Sequence, residues 1–197
     1  MAETEPKSII LIRHGQSQSQ ANPDVDGINP DLSPRGEQQA TLLLDRVANL
    51  APDLIIVSPL IRAFRTYKLS QLQCSTVHFD PRLVESDWGT PGRYEGVEFG
   101  YLDDSGILVE SDAHLLPVAE RMRSLVDSIA ASDLRNFVLF GHWGVFAEFL
   151  GCFLEVGVES ARMALMENTA LSTLEIREND KRCLIQWNDS AHLSPLS

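Results

Sequence analysis

Two histidines and two arginines occupy positions where a folded chain can bring them to one point. Arg13 and His14 follow the aliphatic run "SIILI" (8–12), and His142 follows "NFVLF" (136–140) within "FGHWG". Arg62 stands just beyond a further aliphatic run, "DLIIV" (53–57), within "SPLIRAFRT". Guanidinium groups grip oxyanions through paired hydrogen bonds that an ammonium cannot reproduce. An imidazole held beside them is a candidate nucleophile. A helix starting after His142 would turn its first backbone N–H groups toward the same anion. Singly, each of these residues has an ordinary structural or surface reading. Together at strand ends they form an anion site that contains its own nucleophile.

Such a site needs strands that end side by side. "SIILI", "DLIIV" and "NFVLF" have the uninterrupted aliphatic character of strands buried on both faces, and "STVHFD" (75–80) alternates as a short strand. Between them lie helical stretches. One opens at Ser33-Pro34 and puts Ala40, Leu43, Leu44, Val47 and Leu50 on one face. A second repeats the Ser-Pro opening at 58–59, with Leu60, Phe64 and Tyr67 on a common face. Others span 115–132 and begin near Gly144. Residues 15–31 read as a polar loop, 86–114 as an irregular lid rich in glycine and acids, and 170–188 as an antiparallel hairpin at a sheet edge. Strands alternating with helices predict an α/β fold, a three-layer α/β/α sandwich around a mainly parallel sheet. Ligands of such sheets sit beyond the carboxyl ends of the strands, where both histidines fall.

With 197 residues the chain suits one domain, 1–197. Its formal net charge of -12 argues against nucleic acid or an acidic membrane surface as a bulk partner. The three cysteines, Cys74, Cys152 and Cys183, are too scattered for a disulfide framework or a zinc site and read as intracellular thiols. "MAETEPKS" is too polar for a signal peptide, and no apolar run is long enough to span a bilayer, so cytoplasm is expected.

These segments resemble, in order and over nearly the whole chain, those of the histidine phosphatase superfamily, the phosphoglycerate mutase-like proteins, in their RHG branch. "LIRHGQS" is similar to the nucleophile motif, and "DLSPRGEQQA" to the element of leucine, hydroxyl, glycine and glutamine-alanine. "SPLIRAFRT" resembles the second arginine motif, "RLVES" the segment holding the acid, "FGHWG" the second histidine motif, and "WNDSAHL" a frequent C-terminal pattern. The resemblance implies a phosphatase of small phosphomonoesters that needs neither metal nor cofactor. His14 would attack phosphorus and form a phosphohistidine, while Arg13, Arg62 and His142 hold the non-bridging oxygens. Glu85 would protonate the leaving alcohol and then deprotonate water. The partner implied is a small phosphorylated metabolite, with inorganic phosphate as product.

Some positions depart from the family pattern. Gln20, a candidate phosphate or substrate contact, stands where asparagine is common, keeping the amide with a longer reach. Arg65 replaces a frequent glutamine and is either a further phosphate contact or a surface residue. Trp143 replaces a frequent glycine and either walls the pocket or packs beneath its loop. Gln16 and Ser17 line the pocket, with direct contact of Ser17 to phosphate left open. His78 and His114 read as structural or solvated, and His192 as a brace for the tail. Asp24, Asp26 and Asp31 lack the spacing and final glutamate of a calcium loop. Glu95 and Glu98, in the lid, are alternatives to Glu85. The secreted acid phosphatase signature is missing after both "RHG" and "GH", and "VESDWGTPGRYEG" lacks the signature of true mutases. A mutase-type phosphoryl transferase is the alternative activity, and a non-catalytic phosphate-ligand binder the third reading. The sequence leaves the oligomeric state open.

Overall fold

The computed structural model describes residues 5–25, 29–86, 101–102, 108–109, 112–157 and 162–196. Most of the expected lid, with Glu95 and Glu98, lies outside these residues, as does Asp26. In chain order the elements are β1 (Lys7–Arg13), α1 (Gln18–Ala21), α2 (Pro34–Thr41), α3 (Leu43–Val47), β2 (Leu54–Val57), α4 (Ile61–Ser70) and β3 (Val77–Phe79). There follow β4 (Tyr101–Leu102), β5 (Leu108–Val109), α5 (Val118–Ala131), β6 (Asn136–Gly141), α6 (Trp143–Leu154), β7 (Leu171–Arg177) and β8 (Lys181–Asp189). Six strands form one mixed sheet in the order β3-β2-β6-β1-β7-β8, and β4 pairs with β5 separately. The first four are parallel, whereas β7 and β8 run antiparallel as the expected edge hairpin.

Alternation along each strand explains the aliphatic runs. Ile9 and Leu11 of β1, Ile56 of β2, and Phe137 and Leu139 of β6 join the core beneath α5 and α6. Their neighbours Ile12, Ile55, Val57, Val138 and Phe140 pack on the other face, with Leu43 and Val47 of α3. A strand covered on both faces has no position for a polar side chain. On the second face Phe64 of α4 meets Phe79, and Tyr67 lies edge-on to Phe140 at 5.4 Å between ring centroids.

Three local expectations are corrected. The helix from Ser33 breaks at Leu42 into α2 and α3, and Leu44 is 39% exposed rather than on the buried face. Ser58 does not open α4. Its N–H donates to the Phe140 carbonyl at 2.8 Å, prolonging strand pairing, and the helix starts at Ile61. Within the polar loop, Ser17 and Gln20 form a capping box that starts α1. Among the described residues no helix is long and apolar enough to cross a membrane.

Candidate active site

Sheet register brings the two histidine motifs together. Parallel pairing of β1 with β6 sets Arg13 opposite Gly141, so the next residue of each strand, His14 and His142, emerges at the same edge. The His14 N–H donates to the Gly141 carbonyl at 2.9 Å, and the two imidazole rings lie 4.9 Å apart. Both are buried.

The protonation of His14 is set locally. Its Nδ1 lies 2.6 Å from the Gly15 carbonyl, which can only accept, so Nδ1 carries the proton and Nε2 keeps a free electron pair. Burial first, then the charges of Arg62 and Arg13, push its pKa well below the ordinary histidine value. The same forces, burial and then Arg62, His14, Arg13 and Arg121, depress His142. Ser58 Oγ is 2.8 Å from His142 Nε2. Among the described residues His142 Nδ1 and Arg13 Nε are buried without a hydrogen-bond partner. Buried polar groups left open in this way are uncommon and mark places where a ligand or water belongs.

Arg62, in the first turn of α4, is buried and acts electrostatically on Arg13 and both histidines. Burial lowers the pKa of Arg13, with the charge of Glu85 opposing and that of Arg62 adding. Glu85 is thus close enough to act on Arg13 through its charge. Its Oε1 accepts the Ser86 N–H at 2.8 Å and the Val145 N–H, in the first turn of α6, at 3.3 Å. Oε2 is left to carry or take a proton. Gly144 makes this approach feasible: a Cβ there would fall 2.3 Å from Ser86 Oγ and 2.5 Å from Glu85 Oε1. The Arg121 guanidinium fixes the 3-10 turn leading to Glu85 by donating to the carbonyls of Arg82 (3.1 Å) and Val84 (2.7 Å).

The nucleophile loop is held from three directions. Thr66 Oγ1 of α4 accepts the Gly15 N–H at 3.0 Å, and Gln39 Oε1 of α2 accepts that of Gln16 at 2.8 Å. Gly36 at the start of α2 touches the same loop so closely that a Cβ would sit 2.0 Å from the Gln16 carbonyl oxygen. From below, Arg13 donates to the Met166 carbonyl, Asn168 Nδ2 to the His14 carbonyl at 3.0 Å, and Thr169 N–H to the Arg13 carbonyl at 3.1 Å. Thr169 is buried at φ 58°, a conformation that costs a β-branched residue about 1–3 kcal/mol and persists where surroundings impose it.

Arg13, His14, Arg62, Glu85 and His142 therefore converge. Gln16 lies at the cavity beside Arg13, its Oε1 accepting from Ser33 Oγ at 2.8 Å. Ser17 and Gln20 turn toward each other: Gln20 Oε1 accepts the Ser17 N–H at 2.9 Å, and Ser17 Oγ accepts the Gln20 N–H at 3.3 Å. Trp143 lines the cavity and also packs on the core, with Nε1 donating to the Ala164 carbonyl. Arg65 takes the surface role, bonded to Asp31 at 2.7 Å and Glu37 at 2.6 Å. Asp31 is thereby engaged, and Asp24 is exposed. His78 is exposed, His114 buried, and His192 braces the tail with Nε2 3.0 Å from Thr169 Oγ1. The sequence reading missed Ser58, Thr66, Arg121, Asn168 and Thr169. Of these, only Ser58 carried a local signal, and it pointed to a helix cap instead.

The family model described as "Histidine phosphatase superfamily (branch 1)" matches residues 9–190. A glucosyl-3-phosphoglycerate phosphatase of Mycobacterium tuberculosis is 27% identical over 216 residues, spanning 95% of this chain and 97% of its own. The structure of a mycobacterial glucosyl-3-phosphoglycerate phosphatase with inorganic phosphate aligns with a TM-score of 0.67 at 26% identity, over 95% of this chain and 100% of that one. Phosphoserine phosphatase of Entamoeba histolytica, solved with 3-phosphoglyceric acid, shares the fold at a TM-score of 0.69 and 22% identity, over 94% and 98% of the two chains.

Proposed function

The chain belongs to the histidine phosphatase superfamily, branch 1, and from that premise we propose that it hydrolyses small phosphomonoesters through a phosphohistidine on His14. The observation that carries the mechanism is the bond from His14 Nδ1 to the Gly15 carbonyl, which leaves Nε2 unprotonated and ready to attack. A substrate phosphoryl group enters between Arg13, Arg62 and His142. Ser58 donates its hydroxyl proton to His142 Nε2, so that Nδ1–H faces a phosphoryl oxygen, and Arg13 Nε–H finds an acceptor in the same ligand. As Nε2 of His14 bonds to phosphorus, the ester P–O bond breaks and the alkoxide takes the proton from Glu85 Oε2. Water then attacks the phosphohistidine and gives its proton to the Glu85 carboxylate. The P–N bond breaks, phosphate leaves, and both side chains return to their starting forms.

Negative charge gathers on the non-bridging oxygens, and fixed cations in a dry site stabilise it without reorganising. Those cations do the work that a metal ion does elsewhere. Gln16 borders the leaving group, Trp143 forms part of its wall, and Ser17 with Gln20 keeps the loop after the nucleophile in shape. We take 1–197 as one catalytic domain, 86–114 as its lid, and the cytoplasm as its compartment.

Phosphate release from p-nitrophenyl phosphate in EDTA tests the activity, and rapid acid-free quenching followed by intact mass tests the intermediate. Wild type should gain one phosphoryl group on His14, and His14→Ala should lose both the adduct and turnover while melting normally. Near-wild-type turnover by His14→Ala would overturn the mechanism.

A further inference from the structure

The identity of the leaving alcohol rests on the phosphatase reading above and is written in the cavity next to Arg13. This cavity, about 590 Å³, is bordered by the nucleophile loop, α2, the first residue of α6 and the segment 165–168. Cavities of roughly 300–1,000 Å³ enclose ligands of drug size, well beyond a three-carbon alcohol. Its position suits a leaving group: Trp143 lines it, and the following residue, Gly144, is the one against which Glu85 rests.

Its lining combines two chemistries. Trp143, Leu165 and Leu193 supply apolar surface. Leu165 is 68% exposed, a large aliphatic side chain held in water at the cavity mouth. A polyol or a free amino acid would leave that surface wet. The polar lining comprises three amides with unused valences, Gln16, Gln39 and Asn168, together with the charged Arg13, Arg35 and Glu167. Gln16 and Gln39 each accept through Oε1, from Ser33 Oγ and from the Gln16 N–H, which leaves both Nε2 groups as donors. Asn168 donates Nδ2 to the His14 carbonyl and to Gln20 Oε1, which leaves Oδ1 as an acceptor. Arg35 reaches the rim, its contact to the Leu196 carbonyl stretched to 3.4 Å. A flat apolar wall beside the amide donors, with Asn168 and the Glu167 carboxylate as acceptors and Arg35 as a donor at the rim, fits a planar ring whose edge bears heteroatoms.

We propose that the enzyme selects phosphomonoesters whose alcohol carries a heteroaromatic ring, the ring lying against Trp143 and its edge meeting Gln16, Gln39 and Asn168. The test compares kcat/KM for adenosine 5′-monophosphate and flavin mononucleotide with that for ribose 5-phosphate, which has the phosphorylated sugar but no ring. At least one ring ester should exceed ribose 5-phosphate by about tenfold or more, the scale of one base–aromatic stacking contact. Trp143→Ala should shrink that ratio mainly through KM. Leu165→Ser, at an exposed position that folding does not depend on, should shrink it too. A ratio near one for both ring esters, or a ratio that neither variant changes, overturns the proposal. Hydrolysis of phosphoserine with none of either ring ester overturns it while leaving the phosphatase reading intact. Failure to release phosphate from any ester, p-nitrophenyl phosphate included, would bring down that reading itself.

Discussion

Replacing Gly144 by alanine separates proton donation from phosphoryl binding. The new methyl would start 2.5 Å from Glu85 Oε1 and 2.3 Å from Ser86 Oγ, where ordinary contacts begin near 3.4 Å. The carboxylate must therefore retreat by about 1 Å, and a misplacement of that size costs a catalytic group on the order of a hundredfold in rate. The loss should fall on esters of poorly acidic alcohols, such as glycerol phosphates, because an alkoxide cannot depart without a proton. p-Nitrophenolate leaves unassisted, so p-nitrophenyl phosphate should lose only a few-fold. Global stability should barely change, since alanine favours a helix over glycine by up to ~1 kcal/mol and offsets part of the strain. The assay is steady-state kcat on both ester classes, with thermal melting as the control for folding. Equal losses on the two classes in a normally melting variant would show that Glu85 is not the proton donor. An unchanged alkyl rate would show that its position does not matter.

Below pH ~6.5 the protein should lose stability, because His14 and His142 stay neutral when folded but protonate when unfolded; the two together give a slope of at most ~2.7 kcal/mol per pH unit. Denaturant titrations across pH 4.5–7.5 (an illustrative window of about three units) check this, and His142→Asn should roughly halve the slope; a slope that His142→Asn leaves unchanged would contradict it. The same depression keeps the nucleophile active in mild acid, so the acid limb of kcat/KM should not fall at the ordinary histidine value. Ser58→Ala, by releasing the His142 tautomer, should weaken product inhibition by phosphate about tenfold, the scale of one lost buried hydrogen bond to a charged ligand, while Ser58→Thr retains it. Phosphoglycerates offered with a bisphosphoglycerate primer should be hydrolysed and not interconverted; isomerisation followed by NMR would favour the transferase alternative.

The strands were legible because burial on both faces leaves an unbroken aliphatic signature, as in 8–12, 53–57 and 136–140. The five converging groups could be named because Arg13, His14 and His142 sit at the ends of those runs, and Arg62 and Glu85 just past them or in a recognisable segment. What escaped was tertiary. Ser58 has the composition of a helix cap, yet strand pairing with β6 extends through it and turns its hydroxyl to His142. The Ser17–Gln20 capping box did carry its usual four-residue signature, hidden in a run of serines and glutamines where several registers are available. Asn168 and Thr169 act through backbone groups of a strand far away in the chain, and no local pattern encodes such a contact.

The position of β1 also orders events in time. This strand is made well before its sheet neighbours β6 and β7, and the His14 carbonyl waits for Asn168, 154 residues further along. While a ribosome is still adding those residues, the aliphatic edge of β1 has no partner, and non-local pairing of this kind is slow and open to aggregation. Catalytic competence waits until the segment carrying Asn168 and Thr169 has been made and sits beneath the nucleophile. Phosphatase activity on stalled or truncated nascent chains would thus report how far the chain has emerged.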